Sequence, residues 1–210
     1  MIRFLSRFAA PLTVAALMAA APAAQAGVIF SDNFDLNRSK SELSFNGFTN
    51  WNVSAGTVDY IKSGEFNIRC VGLVGGCVDL DGDGDAGLMS SKVVYNLLAG
   101  TTYLFSLDLS GNQVRVEDNT VNFGFALADN LGSFLASDMV TLGKTNPFGT
   151  YTVAYTPGSN VSARLVIGNA GGDRVGLILD NTRLEVPEPG TLALLGLGLA
   201  ALGLRRRRAA

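Results

Sequence analysis

The chain contains no histidine. That removes Ser-His-Asp and Cys-His nucleophilic catalysis, and with them the commonest zinc ligand. Cysteine occurs only twice, so a tetrahedral thiolate site would lack half its ligands and would have no imidazole to complete it. Positive charge is scarce in the body of the chain. Of sixteen lysines and arginines, six stand near the two ends (Arg3, Arg7, Arg205, Arg206, Arg207 and Arg208), leaving ten against eighteen acidic residues. The resulting net charge near −8 makes nucleic acid and anionic membrane surfaces poor partners and leaves cations as the chemically matched ones. No segment shows the i, i+3, i+4 apolar spacing of a convincing amphipathic helix, and no flat rows of threonine repeat as an ice-binding surface would require.

What is present begins with two apolar segments. Arg3 and Arg7 precede a run from Phe8 to Ala21, followed by Pro22 and the small-residue triplet Ala24, Gln25, Ala26. This is the layout of a secretory signal peptide over residues 1–26, cut after Ala26 by signal peptidase once the Sec translocon has engaged it. At the other end, Leu192 to Leu204 is uncharged, and Arg205, Arg206, Arg207 and Arg208 follow at once. Counted from Thr191, this segment would span about 21 Å as a helix, short of a hydrocarbon core of about 30 Å, so it predicts a short, marginal transmembrane helix. The arginines stay on the cytoplasmic side, which places everything upstream outside.

Between body and tail stand Val186, Pro187, Glu188, Pro189 and Gly190. Two prolines around a glutamate continue neither strand nor helix, so the segment is expected to be extended and open to a protease. The triplet Pro187, Glu188, Pro189, the apolar run and the terminal arginine cluster together closely resemble the PEP-CTERM sorting signal of Gram-negative bacteria, over residues 186–210. The resemblance implies that the helix holds the protein briefly at the inner membrane and that exosortase then processes it near the motif. The product goes to the cell surface or beyond, in a setting of biofilm and exopolysaccharide. A plain tail anchor on a proline-rich stalk is the competing reading.

Residues 27–185 are enough for one domain with a sizeable core. Tyr103, Phe105, Leu107 and Leu109 alternate with Thr102, Leu104, Ser106 and Asp108; Val121, Phe123, Phe125 and Leu127 alternate with smaller residues. Tyr151, Val153, Tyr155 and Ala163, Leu165, Ile167 form two more such sets. Period-two alternation buries one face of a strand, and the turn-forming stretches Ser110–Asn112, Asp129–Gly132 and Asn169–Asp173 separate the runs. The prediction is an all-β, single antiparallel sandwich of jelly-roll type. Phe30–Asp35, Phe48–Val53 and Val175–Leu184 also look like parts of the jelly-roll domains that often precede this tail. More distantly they are similar to carbohydrate-binding modules and galactose-binding-like domains. That resemblance implies that the first and last strands pair, and that a structural calcium near them would draw on Asp35 and Asp180.

Three features could carry chemistry. Cys70 and Cys77, separated by a glycine-rich loop, suit a disulfide in an oxidising compartment, with two reduced buried thiols as the alternative. Asp79, Asp81, Asp83 and Asp85 alternate with Leu80, Gly82, Gly84 and Ala86. The first half matches an EF-hand calcium loop, but Ser90 falls where the bidentate glutamate is wanted, and a solvated acidic turn explains the run as well. Trp51, the only tryptophan, and Tyr60 are candidate stacking platforms for a sugar, core packing being the competing role. The expected whole is a non-enzymatic surface or extracellular matrix protein, structural or adhesive. A carbohydrate-binding module is the first rival, and a carboxylate-dependent glycosidase with two converging acids the second.

Overall fold

A computed structural model describes residues 27–187. The expected signal peptide with Ala24 and Ala26, the motif residues Glu188 and Pro189, the C-terminal helix and Arg205, Arg206, Arg207 and Arg208 lie outside the described residues. Within them are twelve strands and no α-helix, and the only helical elements are single 3-10 turns at Glu65–Asn67 and Val71–Leu73.

The alternation read from the sequence becomes the interior. Strand β7 (Tyr103–Ser110) buries Tyr103, Phe105, Leu107 and Leu109 on one face, and β8 (Asn119–Leu127) buries Val121, Phe123 and Phe125 on its own. These two faces meet across the sandwich, where the Phe105 ring stands edge-on to Phe123 at 5.9 Å and to Phe125 at 6.2 Å. Alternation fails at the end of β8. Ala126 is buried and Leu127 only partly so, because the pairing with the next strand, β9 (Asn130–Leu142), slips at this point and turns the chain by one residue.

One sheet runs β10 (Gly149–Tyr155), β7, β12 (Ile178–Val186), β4 (Gly76–Asp79), β3 (Asp59–Lys62), all antiparallel. The far edge of β12 is shared: its first residues pair with β4, and the rest pair with β1 (Gly27–Asp32). First and last strands are thus hydrogen-bonded neighbours, as the jelly-roll resemblance implied. The other sheet runs β2 (Trp51–Ala55), β5 (Leu88–Ser91), β11 (Val161–Ala170), β8, β9 (Asn130–Leu142), with β6 (Tyr95–Leu97) pairing the first part of β11. Strand β9 departs from expectation: a turn was predicted through Gly132, but the strand starts at Asn130 and runs thirteen residues. It is an edge strand, and among its residues only Val140 and Leu142 are buried, so it lacks the apolar alternation that marks a strand in sequence.

A bulge in β12 shapes the outer surface of this sheet. Leu179 and Leu184 both point into the core although they are five apart, an odd spacing that a regular strand would send to opposite faces. The register absorbs the extra residue: Asp180 faces Asp108 and Arg183 faces Ser106, three steps against two. Asn181 takes the left-handed conformation this requires, with φ of 43°.

Candidate functional site

The outward faces of β10, β7, β12 and β1 carry the residues that alternate with the core, and these are polar. Together with the segment before β2 they line a groove of about 750 Å³ bordered by Ser106, Asp108, Thr150, Asn181, Arg183 and Glu185, with Asp32 and Asn50 at one end. Its groups are pre-aligned by one another. Asp108 accepts from the Thr150 hydroxyl at 2.6 Å and from the Asn181 amide at 2.9 Å, one donor from each neighbouring strand. Asn50 donates to Asp32 at 3.0 Å, and Arg183 pairs with Glu185 at 3.1 Å. The bulge at Asn181 is what brings its amide over Asp108. No aromatic ring lines this groove. It can offer hydrogen bonds and charge to a hydrated ligand, without a stacking surface.

Trp51 and Tyr60, predicted as stacking platforms, are both fully buried. Trp51 packs between Phe30, Phe34 and Phe105, and the Tyr60 hydroxyl donates to the Arg38 carbonyl at 3.0 Å beneath Gly76. Neither ring can meet a ligand, which corrects that assignment: each sits on the inward side of its strand, where the burial of a large ring is worth most. The exposed aromatic among the described residues is Phe66, 56% exposed on the short turn Glu65–Asn67. It borders a second hollow of about 430 Å³ with Leu43, Ile61, Ile68, Asp59 and Arg115. Sequence reading passed over Phe66 because it sits in no alternating run.

Cys70 and Cys77 form a disulfide, with Cα atoms 5.5 Å apart. Both are buried in a small apolar cluster with Ile61, Ile68 and Ile178 on the outer side of the sheet. The loop between them is held at both ends by carboxylates. Asp180 accepts from the Val71 amide at 2.9 Å, and Asp35 accepts from the Gly76 amide at 2.9 Å. Gly75, at φ of 73°, lies so close to the Asp35 carboxylate that a Cβ there would overlap it. Asp35 and Asp180, expected as calcium ligands, each accept an N–H donor on both oxygens, Asp35 from the Asn33 side-chain amide as well as Gly76, and Asp180 from the Asn181 backbone as well as Val71. Burial raises Asp180 to about 7, against the opposing pull of those two backbone donors.

Asp79, Asp81, Asp83 and Asp85 do not converge as one ligand set. Asp79 and Asp81 turn inward and are buried, while Asp83 and Asp85 are exposed. Asp79 accepts from the Asp81 and Gly176 amides at 3.1 and 2.6 Å, which closes the turn after β4 onto the segment before β12. Among the described residues no three acidic or cysteine side chains group as metal ligands.

The C-terminal residues 185–208 match the PEP-CTERM protein-sorting motif. The match begins at Glu185, inside β12. Among solved structures, the tandem CBM22-1–CBM22-2 domain of Paenibacillus barcinonensis Xyn10C aligns at 12% identity with a TM-score of 0.51, over 80% of this chain and 47% of that one. The C-terminal family 22 carbohydrate-binding module of Clostridium thermocellum Xyn10B aligns at 17% identity and 0.46, over 77% of this chain and 94% of that one. The CBM22-1–GH10 modules of the same xylanase align at 13% and 0.46, over 77% of this chain, which spans 29% of that longer one. At such identities the Paenibacillus match shows the fold alone. No curated protein matches the chain.

Proposed function

We propose that this chain is a non-catalytic protein of the cell surface or extracellular matrix, exported, sorted through its PEP-CTERM tail and processed by exosortase, with a structural or adhesive role among exopolysaccharides. The observation that carries the reading is the tail itself, matched over residues 185–208. A PEP-CTERM motif implies export and surface sorting by exosortase. The match starts within β12, whose residues 182–186 pair with β1. A cut upstream of Val186 would remove part of a central strand, so processing is expected at or beyond Pro187. The absence of histidine and the engagement of both Asp108 oxygens in hydrogen bonds to neighbours support a binding or structural role over catalysis.

Fractionation of the native host tests this. The protein is expected at the surface or in the matrix, and a strain lacking it should form a less cohesive biofilm. Accumulation at the inner membrane in an exosortase-positive strain, or unchanged cohesion on deletion, would contradict the proposal.

A second reading, glycan binding by the sandwich, is favoured by the polar groove across β10, β7, β12 and β1. It expects slowed migration of the protein in gels containing acidic or neutral polysaccharide, and loss of that retardation on Asp108→Ala.

A further inference from the structure

At the end of the sandwich away from the disulfide loop, the turn after β4 meets the turn between β11 and β12. Leu80 donates to the Leu177 carbonyl at 3.2 Å, and Asn169 donates to the Gly87 carbonyl at 3.1 Å, so the backbone fixes the two turns against each other. Asp81 lies between them and is completely buried. One of its oxygens, Oδ2, accepts from the Gly172 amide at 2.6 Å and the Asp173 amide at 3.1 Å. The other, Oδ1, is shut off from solvent and accepts no hydrogen bond from any described residue. The same holds for both oxygens of Asp173 and for both amide atoms of Asn169. Asp81 and Asn169 crowd one point: a Cβ on Gly171 would overlap Asp81 Oδ2 and stand 2.5 Å from Asn169 Nδ2, and one on Gly176 would stand 2.9 Å from Asp81 Cβ and 3.0 Å from Asn169 Nδ2. The Asp173 carboxyl lies near enough to Asp81 for the two to repel when both are charged.

Two carboxylates, Asp81 buried and Asp173 half-buried with both oxygens shut off from solvent, therefore sit together without a salt bridge to either among the described residues. Arg174, next to Asp173 in the chain, turns out to solvent and pairs with Asp83 at 3.2 Å. An uncompensated buried carboxylate is strongly destabilising, and each solvent-excluded oxygen without a partner adds its own desolvation penalty. A single shared proton would relieve one pair of oxygens and leave the remaining Asp173 oxygen and the Asn169 amide unserved. A hard divalent cation would serve all of them at once. We propose that Asp81, Asp173 and Asn169 form a binding site for a divalent cation, calcium in preference to magnesium. The donors are all oxygen: Asp81 Oδ1, both Asp173 oxygens, and Asn169 Oδ1 after a half-turn of an amide that forfeits no bond in either orientation. Water entering beside the exposed Gly171 and Gly172 brings the count toward the six to eight oxygens calcium takes. Magnesium, which keeps most of its own water and demands a strict octahedron, is less suited to a bidentate carboxylate in a buried turn. The site uses only Asp81 of the four alternating aspartates; its other two members come from some ninety residues further along the chain.

The test uses the mature exported protein, stripped with a chelator and titrated with calcium chloride by calorimetry, with thermal melts in parallel. One site per chain is expected, and a melting temperature raised by about 5 to 10 °C at a hundredfold excess over Kd. Magnesium should compete weakly. Asp173→Asn should abolish the heat and the calcium-dependent rise, both read against the variant's own calcium-free melt. Asn169→Asp should lower that calcium-free melt and bind calcium more tightly, which a purely structural amide would not do. No heat in the parent protein, or a calcium response that survives Asp173→Asn, overturns the site. Either result leaves the sorting tail and the surface role untouched.

Discussion

Removing the Cys70–Cys77 bond, by reduction or by the paired change Cys70→Ala and Cys77→Ala, should cost about 2.5 kcal/mol. The magnitude follows from loop closure: the bond joins residues seven apart, a closed loop of eight, for which the chain-entropy relation gives about 8 cal/mol/K, or about 2.5 kcal/mol at room temperature. The folded loop should survive the loss, because its two ends are tied independently by Asp180 to the Val71 amide and by Asp35 to the Gly76 amide. Ile61, Ile68 and Ile178 also continue to cover the site. The effect therefore falls mainly on the unfolded chain. In urea titration the oxidised protein, the reduced protein and the double alanine variant should share a spectrum at low denaturant, with the latter two shifted to lower midpoints. In thermal melts the drop should be about 5 to 10 °C for a domain of this size. Identical midpoints for all three forms would refute the reasoning. So would loss of native structure without denaturant, since it would mean that the carboxylate ties do not hold the loop.

Other expectations follow from the same geometry. Asp180 is raised by burial to about 7, above its unfolded value near 3.9, so the folded state holds the extra proton between those values and stability should fall as pH rises through that window, by up to about 4 kcal/mol. Asp59 and Asp79 are raised in the same direction, also chiefly by burial, so in calcium-free buffer urea midpoints should be higher at pH 5 than at pH 8; the reverse order would contradict this. Asp180→Asn should flatten part of that slope. Trp51→Ala should cost about 3 to 5 kcal/mol in denaturant titrations, as expected for a fully buried ring, whereas Trp51→Phe should leave any polysaccharide retention unchanged. If glycan binding resides in the groove, Asn181→Ala should weaken retention about tenfold in affinity gels, through the lost amide and the slackened Asp108.

The two-sheet architecture was legible because its central strands alternate large apolar with small or polar residues. Phe105 and Leu107 on β7, and Phe123 and Phe125 on β8, are in the core as that pattern requires. The disulfide was legible from two cysteines in a chain whose C-terminal sorting motif implies export. Edge strands were harder to read. β9 buries little, so nothing in its composition distinguishes it from a loop, and its place is fixed by pairing with β8. Period two also says nothing about which face is inward when a bulge intervenes, as at Asn181, and the outer groove depends on that bulge. Trp51 and Tyr60 show the other limit, since residue type suggested a sugar platform while strand phase put both rings inside. The aspartates illustrate it again. Local spacing grouped four neighbours, but the fold sends Asp83 and Asp85 to solvent and brings Asp81 to Asp173, a partner no short window of sequence contains.

Mass spectrometry of the intact protein collected from the surface or the medium of its host decides whether it is exported and trimmed at both ends. The recovered chain should start at Gly27, end at or after Pro187, lack Arg205 to Arg208 and carry the Cys70–Cys77 bond. A cytosolic protein that keeps both ends and two free thiols would contradict it.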